Sequence, residues 1–159
     1  MKKIIKTSIL ILFLSFYSCS EESILATSEK DYLIGNWRII KVKTFNYLNN
    51  KLDNVEEKNF DKPNQSKLNF EENGNVSYLS PEFIKEINGI WNLNNKVLKT
   101  DLNIDLTSAG YGIRYFFPEN EIILINKNQL TLKSPMSLES VIQPNGNKIK
   151  FYTETYLEK

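Results

Sequence analysis

Hydrophobic and polar residues alternate along much of the chain, and the clearest example runs from Leu98 to Leu106. Every second residue of this stretch is apolar or threonine, and the residues between them are charged or carry amides. A period of two is typical of a β-strand that has one buried and one solvated face. Long stretches with a helical period are not visible, so the pattern predicts an all-β protein.

The turn around Gly74 predicts how one hairpin is paired. A three-residue loop with Gly74 in the left-handed conformation would place Phe70 opposite Val76 and Leu68 opposite Tyr78. This register keeps all four apolar side chains on one face of the sheet, as a half-buried hairpin requires.

Three further turns, at residues 93–96, 126–129 and 144–147, predict hairpins in the same way. The predicted partners are Trp91 with Leu98, Ile125 with Leu130, Ile123 with Leu132, Ile142 with Ile149, and Leu138 with Thr153. Strands at Trp37–Leu48 and Ile113–Phe117 bring the total to about eight to ten. We therefore predict an antiparallel meander barrel, with a β-sandwich as the alternative. The ranges 49–65 and 81–88 are predicted to be irregular.

The first residues of the chain have the composition of a secretory signal. Lys2, Lys3 and Lys6 precede Thr7–Tyr17, a stretch without charge. An apolar segment of about ten residues is too short to cross a bilayer core of about 30 Å as a helix. We expect residues 1–18 to be removed as a signal peptide.

The segment that ends in Cys19, Phe16-Tyr17-Ser18-Cys19, resembles the lipobox of bacterial lipoproteins in the looser form found in the Bacteroidota. The resemblance implies that Cys19 carries palmitate-type acyl chains. The residues that follow are polar and lack an apolar period, so we predict that residues 19–31 form the anchor and a flexible tether and that residues 32–159 form the folded domain. Two or more acyl chains hold a protein firmly, because each buried methylene contributes about 0.8 kcal/mol. An ordinary signal peptide that leaves a free thiol is the alternative.

The residues after the cysteine, Ser20-Glu21-Glu22, are similar to the short acidic export signals of surface-exposed Bacteroidota lipoproteins. This similarity implies an outer-membrane protein at the cell surface, with the periplasmic face as the alternative. The full chain has 20 basic and 19 acidic residues, and removal of the three leader lysines leaves 17 against 19, a net charge of −2. That balance predicts no nucleic-acid partner and no attraction to anionic lipid, so the expected membrane partner is the one that the lipoprotein resemblance implies, through the acyl chains.

The segment that contains Gly35 and Trp37 carries a second resemblance. Its Leu-Ile-Gly-Asn-Trp, followed by the motifs at Leu68–Val76 and Gly89–Leu93, resembles the lipocalins and more closely the bacterial lipocalin-like lipoproteins. The resemblance implies that Trp37 plugs the closed end of a barrel. Lipocalins often pack a late-strand arginine across this tryptophan, but the two arginines here, at 38 and 114, are not in the last strand, so this half of the motif is missing or rearranged.

The inventory of reactive side chains argues against an enzyme. The chain has no histidine, and its one cysteine is assigned to the anchor, so we expect no catalysis, no cofactor and no metal. Asp101, Asn103 and Asp105 resemble the opening of a calcium loop. Leu106 and Gly112, however, stand where that loop requires glycine and glutamate.

Aromatic rings are concentrated around an arginine at Tyr111, Arg114, Tyr115 and Phe117. The hypothesis for these residues is a barrel mouth that binds a small hydrophobic ligand, with the arginine fixing an anionic group. Core packing is the alternative explanation of the same rings. The sequence thus predicts a non-enzymatic binding module, or alternatively a filled barrel that serves a structural role or binds another protein of the cell envelope.

Overall fold

The computed structural model describes residues 29–81, 86–102, 117–138, 140–142 and 146–159. Residues 29–33 are helical, and a short 3-10 turn covers Lys62–Asn64. The strands in the described residues are β1 (Gly35–Leu48), β2 (Lys51–Asn59), β3 (Lys67–Phe70), β4 (Asn75–Leu79), β5 (Ile87–Asn94), β6 (Val97–Leu102), β7 (Glu119–Ile125), β8 (Gln129–Lys133), β9 (Ser140–Ile142) and β10 (Asn147–Glu158).

Eight of these strands close into an antiparallel barrel. Their hydrogen-bonded order is β1-β3-β4-β5-β6-β7-β8-β10, and β10 pairs again with β1 to complete the circle. The barrel predicted from the alternation is confirmed, and the alternative sandwich is wrong because one continuous sheet closes on itself.

The strands β1 and β10 extend beyond one end of the barrel, here called the upper end. The upper half of β1 pairs with β2 on one side and with β10 on the other, and β9 pairs with the first residues of β10. The expectation that residues 49–65 are irregular is wrong, because Asn49 and Asn50 form a turn with φ of 50° and 65° that starts a hairpin. Every residue of β2 is exposed, so pairing with β1 rather than burial accounts for this strand.

The hairpin around Gly74 has the predicted register. Phe70 pairs with Val76 and Leu68 with Tyr78, while Gly74 adopts a φ of +88°. The loop closes through a 3.1 Å hydrogen bond that the Gly74 amide donates to the carbonyl of Glu71. The first apolar pairs of the sheet were therefore predictable from one turn.

The other three predicted hairpins depart from the predicted register, and the first of them joins β7 and β8. Ile125 pairs with Leu130 as predicted, but a β-bulge follows, so that Ile122 rather than Ile123 lies opposite Leu132 and Ile123 is half exposed. A bulge of this kind adds one unpaired residue and shifts the register beyond it.

The turn between β5 and β6 lies one residue later than predicted. Its central residues are Asn95 and Lys96, with φ of 48° and 65°, so Trp91 pairs with Thr100 instead of Leu98. The shift of two positions keeps the same faces together, because side chains alternate with a period of two. Leu98 and Thr100 are buried as predicted.

The predicted pairing before the last strand is also wrong. Ile142 pairs with Asn147 rather than Ile149, and residues 143–145 of the turn lie outside the described residues. The backbone near Thr153 is hydrogen-bonded to Ser134 rather than to Leu138, whose side chain is 91% exposed. The residues after β8 therefore run alongside β10 in a register that the alternation of apolar and polar residues did not predict.

The lower end of the barrel holds the largest apolar side chains, with Trp37 fully buried. Its indole N–H donates to the carbonyl of Leu33 at 2.7 Å, which ties the helical residues 29–33 to the barrel floor. The ammonium of Lys159 lies 4.8 Å from the centre of the Trp37 ring and donates to the carbonyls of Tyr32 and Ile34, both at 2.8 Å. A lysine after the last strand therefore occupies the place that the sequence resemblance assigned to an arginine.

Several sequence predictions fall on residues outside the described ones. They comprise the signal peptide, Cys19 and most of the expected tether, the range 103–106 of the alternating strand, residues 82–85, and all but the last residue of the predicted strand at Ile113–Phe117. Within the described residues, no helix is both long and apolar enough to cross a membrane.

Candidate ligand-binding sites

Hydroxyl and amide side chains lie among apolar ones in the upper half of the barrel interior. Thr100 lies two residues above the buried Leu98, on the same face of β6, and Thr153 lies two residues above Thr155, on the inward face of β10. Asn120 pairs with Leu98 and is 3% exposed. On β6, β7 and β10 the alternation therefore turns one polar side chain inward, although Leu102, two residues beyond Thr100, again packs against the apolar core.

Two of these hydroxyls are buried without a partner. Thr100 is 6% exposed and Thr153 is 4% exposed, and neither Oγ1 atom makes a hydrogen bond within the described part of the chain. A buried hydroxyl without a hydrogen bond costs about 1–3 kcal/mol. Sequences keep such groups where they meet a ligand or a bound water, so these two atoms mark the upper interior as a candidate site.

A third buried atom without a hydrogen-bond partner belongs to Gln65, two residues before β3. The carbonyl oxygen of the Gln65 side chain is buried without a partner, while the amide nitrogen of the same side chain donates to Phe60 O at 3.1 Å. Next to it, the hydroxyls of Tyr78 and Ser66 are 3.2 Å apart. Polar groups therefore lie on several strands near the upper end of the barrel.

Of the four residues predicted to bind a ligand, the structure describes one. Phe117 lies two residues before β7, is half buried, and accepts a 2.5 Å hydrogen bond from the Asn120 side chain through its carbonyl oxygen. This contact brings it next to a residue of the upper interior. Tyr111, Arg114 and Tyr115 lie outside the described residues, so their part in the hypothesis stays a prediction.

A second cavity lies on the outer wall of the same strands. It has a volume of about 410 Å³ and is open to solvent on one side. Tyr47 from β1 and Tyr152 from β10 form one wall, and Glu119, Glu121 and Lys133 from the neighbouring β7 and β8 form the other. This cavity is called the outer groove below.

An aromatic stack builds the first wall of the outer groove. Phe45 and Tyr152 are stacked with ring centres 4.6 Å apart and planes 8° from parallel, and Tyr47 lies 6.2 Å from Tyr152. A shift in register of β1 near Ile40 aligns these alternate residues with the outer face, away from Val42. The Lys133 ammonium lies 4.9 Å from the centre of the Tyr152 ring.

Two tyrosines on the outer face of β10 have raised pKa values. Burial raises the pKa of Tyr152, and the nearby Tyr47 and Glu154 raise it further. Burial, together with a 2.7 Å hydrogen bond to Glu154, raises the pKa of Tyr156 to about 12. At neutral pH these phenols therefore act as hydrogen-bond donors and aromatic surfaces, not as anions.

Sequence reasoning missed the outer groove. The alternation of Phe45 and Tyr47 is visible in the sequence, but the partner Tyr152 belongs to the last strand and meets them only when the barrel closes. Among the described residues, no group of three histidine, cysteine, aspartate or glutamate side chains is placed to hold a metal ion.

Comparison with known proteins gives a fold-level similarity. No protein-family model matches the chain, and no curated protein does. Among solved structures, a lipocalin-like protein from Bacteroides uniformis ATCC 8492 is 14% identical over 80% of this chain and 98% of its own, with a TM-score of 0.47. An uncharacterized protein from Bacteroides eggerthii DSM 20697 is 15% identical over 76% of this chain and 98% of its own, with a TM-score of 0.33. The chain is similar to a protein described as lipocalin-like.

Proposed function

We propose that this protein is a membrane-anchored lipoprotein whose barrel binds a small, largely apolar molecule at its upper end. The observation that carries the proposal is the pair of buried, unpartnered hydroxyls of Thr100 and Thr153 on the inward face of the upper barrel. A barrel that served only as a rigid scaffold would gain stability from apolar residues at both positions.

The division of the interior supports a ligand with two chemical parts. Leu98 and Leu132 lie below the two threonines and are fully buried, so the lower boundary of the site is hydrocarbon. Thr100, Asn120 and Thr153 add a few hydrogen-bonding groups above it. Apolar walls with a small number of polar groups are the usual lining of small-molecule sites. The ligand is therefore a hydrophobic molecule that carries one or more hydrogen-bonding groups.

The anchor part of the proposal rests on the leader and Cys19. Acylation there would hold the barrel at the outer membrane, with residues before the helical turn as the tether. The Cys19→Ala variant is expected in the soluble fraction after cell lysis, whereas the native chain is expected in the membrane pellet. A Cys19→Ala variant that stays in the pellet would show that another feature holds the protein there.

The ligand part is tested by extracting the full-length protein from its own membranes with a detergent-free copolymer and analysing it by native mass spectrometry. We expect a small apolar molecule to co-purify with the native chain. The amount that co-purifies should be lower with the Thr100→Val and Thr153→Val variants. The matched control is Thr131→Val, on the neighbouring strand β8, because Thr131 is also buried but lies between the inward-facing Leu130 and Leu132.

The alternative function, a filled barrel that contributes to an envelope assembly, makes a different prediction. A stable protein complex without any small molecule would support it and contradict ligand binding. A molecule that co-purifies equally with all four chains would contradict the assignment of the site to the two threonines.

A further inference from the structure

We propose that the outer groove is a second binding site, and that its ligand is a short neutral carbohydrate. This site is separate from the barrel interior, because Glu119 and Glu121 point to the outer face of β7 while Asn120 between them points inward. A ligand in one site leaves the other accessible. The proposal therefore does not depend on what the upper interior binds.

The size and shape of the outer groove suit a small molecule. Its volume of about 410 Å³ falls within the range of about 300–1,000 Å³ that is typical of small-molecule sites. One side is open, so a ligand longer than the groove can continue into solvent. An enclosed pocket would exclude a chain, whereas this geometry accepts either a free sugar or a segment of a longer glycan.

The charges of the groove argue for a ligand without net charge. Glu119 and Glu121 would repel an anion, and Lys133 would repel a cation. Two of these charges already interact with the protein, because Glu119 is paired with Lys99 at 3.3 Å and the Lys133 ammonium lies over the Tyr152 ring. The groove therefore offers carboxylate oxygens that accept hydrogen bonds and an ammonium group that donates them. A sugar hydroxyl can both donate and accept, so it can bind to either kind of group.

The apolar side of the groove complements the same ligand. Tyr47 offers a half-buried ring, and the lining residues Pro135 and Met136 are exposed and apolar. A pyranose has faces of C–H groups and a rim of hydroxyls, so it places apolar surface against the ring while its rim reaches the charged groups. Tyr152, which also lines the groove, is stacked on Phe45, and a ring that is already packed loses less entropy when a ligand binds.

The test uses full-length protein in a zwitterionic detergent that contains no sugar. Saturation-transfer NMR and calorimetry are carried out with maltotriose, cellotriose, mannotriose and xylotriose as neutral probes. Trigalacturonic acid serves as the anionic probe and the glucosamine trimer as the cationic probe. We expect at least one neutral trisaccharide to bind with a millimolar or lower Kd, and both charged probes to bind more weakly.

Variants locate the site. Tyr47→Ala and Glu121→Gln are each expected to raise the Kd of the neutral probe about tenfold. A change of this size corresponds to the loss of one hydrogen bond or one stacking contact. Glu57→Gln, an exposed carboxylate on the same outer face but outside the groove, is the matched control and should leave the Kd unchanged. Thr100→Val should also leave it unchanged, which separates this site from the barrel interior.

Folding of each variant is checked by the fluorescence of the buried Trp37 and Trp91. If the folded native protein binds none of the neutral trisaccharides, the proposal is wrong. It is equally wrong if a charged probe binds more tightly, or if folded Tyr47→Ala and Glu121→Gln both retain full affinity. Loss of binding in Thr100→Val alone would place the sugar in the barrel interior instead.

Discussion

Replacing Thr100 or Thr153 by valine should make the protein more stable. Valine has nearly the same shape as threonine, so each substitution exchanges a buried, unpartnered hydroxyl for a methyl group without changing the packing. A buried hydroxyl that lacks a hydrogen bond costs about 1–3 kcal/mol, and we expect each variant to gain about 1 kcal/mol. The two sites lie on β6 and β10, separated by β7 and β8, so the double variant should gain about 2 kcal/mol.

The measurement is urea unfolding followed by the fluorescence of the two buried tryptophans, with the transition midpoint and its slope fitted together. The slope should stay constant, so that a higher midpoint reports stability alone. Thr155→Val is the matched control, because Thr155 is on the same strand as Thr153, is 2% exposed and does have an interaction partner. That variant should lose about 1 kcal/mol.

A loss of stability in Thr100→Val and Thr153→Val as large as in the control would refute the reasoning. It would mean that both hydroxyls are hydrogen-bonded in the native protein. A variant that is more stable but binds the ligand more weakly would support the proposal. It would show that the hydroxyl is retained for function at a cost in stability.

Three further predictions concern the backbone and the pH dependence. Gly89→Ala should destabilise the fold by about 1–3 kcal/mol in urea unfolding, because the added methyl group would collide with the carbonyl oxygen of Asp101 on β6; unchanged stability would show that the two strands can separate without cost. Lys96→Gly should raise stability by about 0.5–1 kcal/mol, because a φ of 65° strains a lysine but not a glycine, and a loss of stability would mean that its 3.6 Å surface ion pair outweighs the strain. Because the pKa of Tyr156 is raised from 10.0 to about 12, the unfolded chain releases this proton first, and stability should fall as pH rises through that window. Tyr156→Phe should lose less stability over the same window in alkaline unfolding curves, and equal losses would contradict the raised pKa.

The barrel could be predicted from the sequence because the alternation of apolar and polar residues and the residues of turns are local features of the chain. Gly74 was enough to place Phe70 opposite Val76, and the alternation after Leu98 identified the buried face of β6. Strand β2 was missed because none of its residues is buried and its charged sequence resembles a loop. Such a strand is held by hydrogen bonds to β1, and no pattern within its own sequence reveals its partner.

The candidate sites were harder to predict than the fold, for a physical reason. The unpartnered hydroxyls of the interior lie on β6 and β10, and Tyr47 and Tyr152 of the outer groove lie on β1 and β10, so neither set is contiguous in the sequence. A threonine on an inward face looks the same in sequence whether or not its hydroxyl has a partner. The replacement of the expected arginine by Lys159 is similar, because only the closed barrel brings that ammonium over the Trp37 ring.

The long pairing between β1 and β10 has a consequence for the order in which the protein folds. Arg38 and Glu158, which form a 3.2 Å ion pair across this seam, are 120 residues apart in the chain. Contacts between residues this far apart in the chain slow the folding of β-proteins, because a long loop must close before they form. Before β10 pairs with it, β1 has two unpaired edges, and the charged strand β2, which follows it directly in the chain, pairs with the upper part of one of them. A strand that adds nothing to the core can thus reduce the length of edge that is open to self-association, while the opposite edge of β1 stays open until β10 pairs with it.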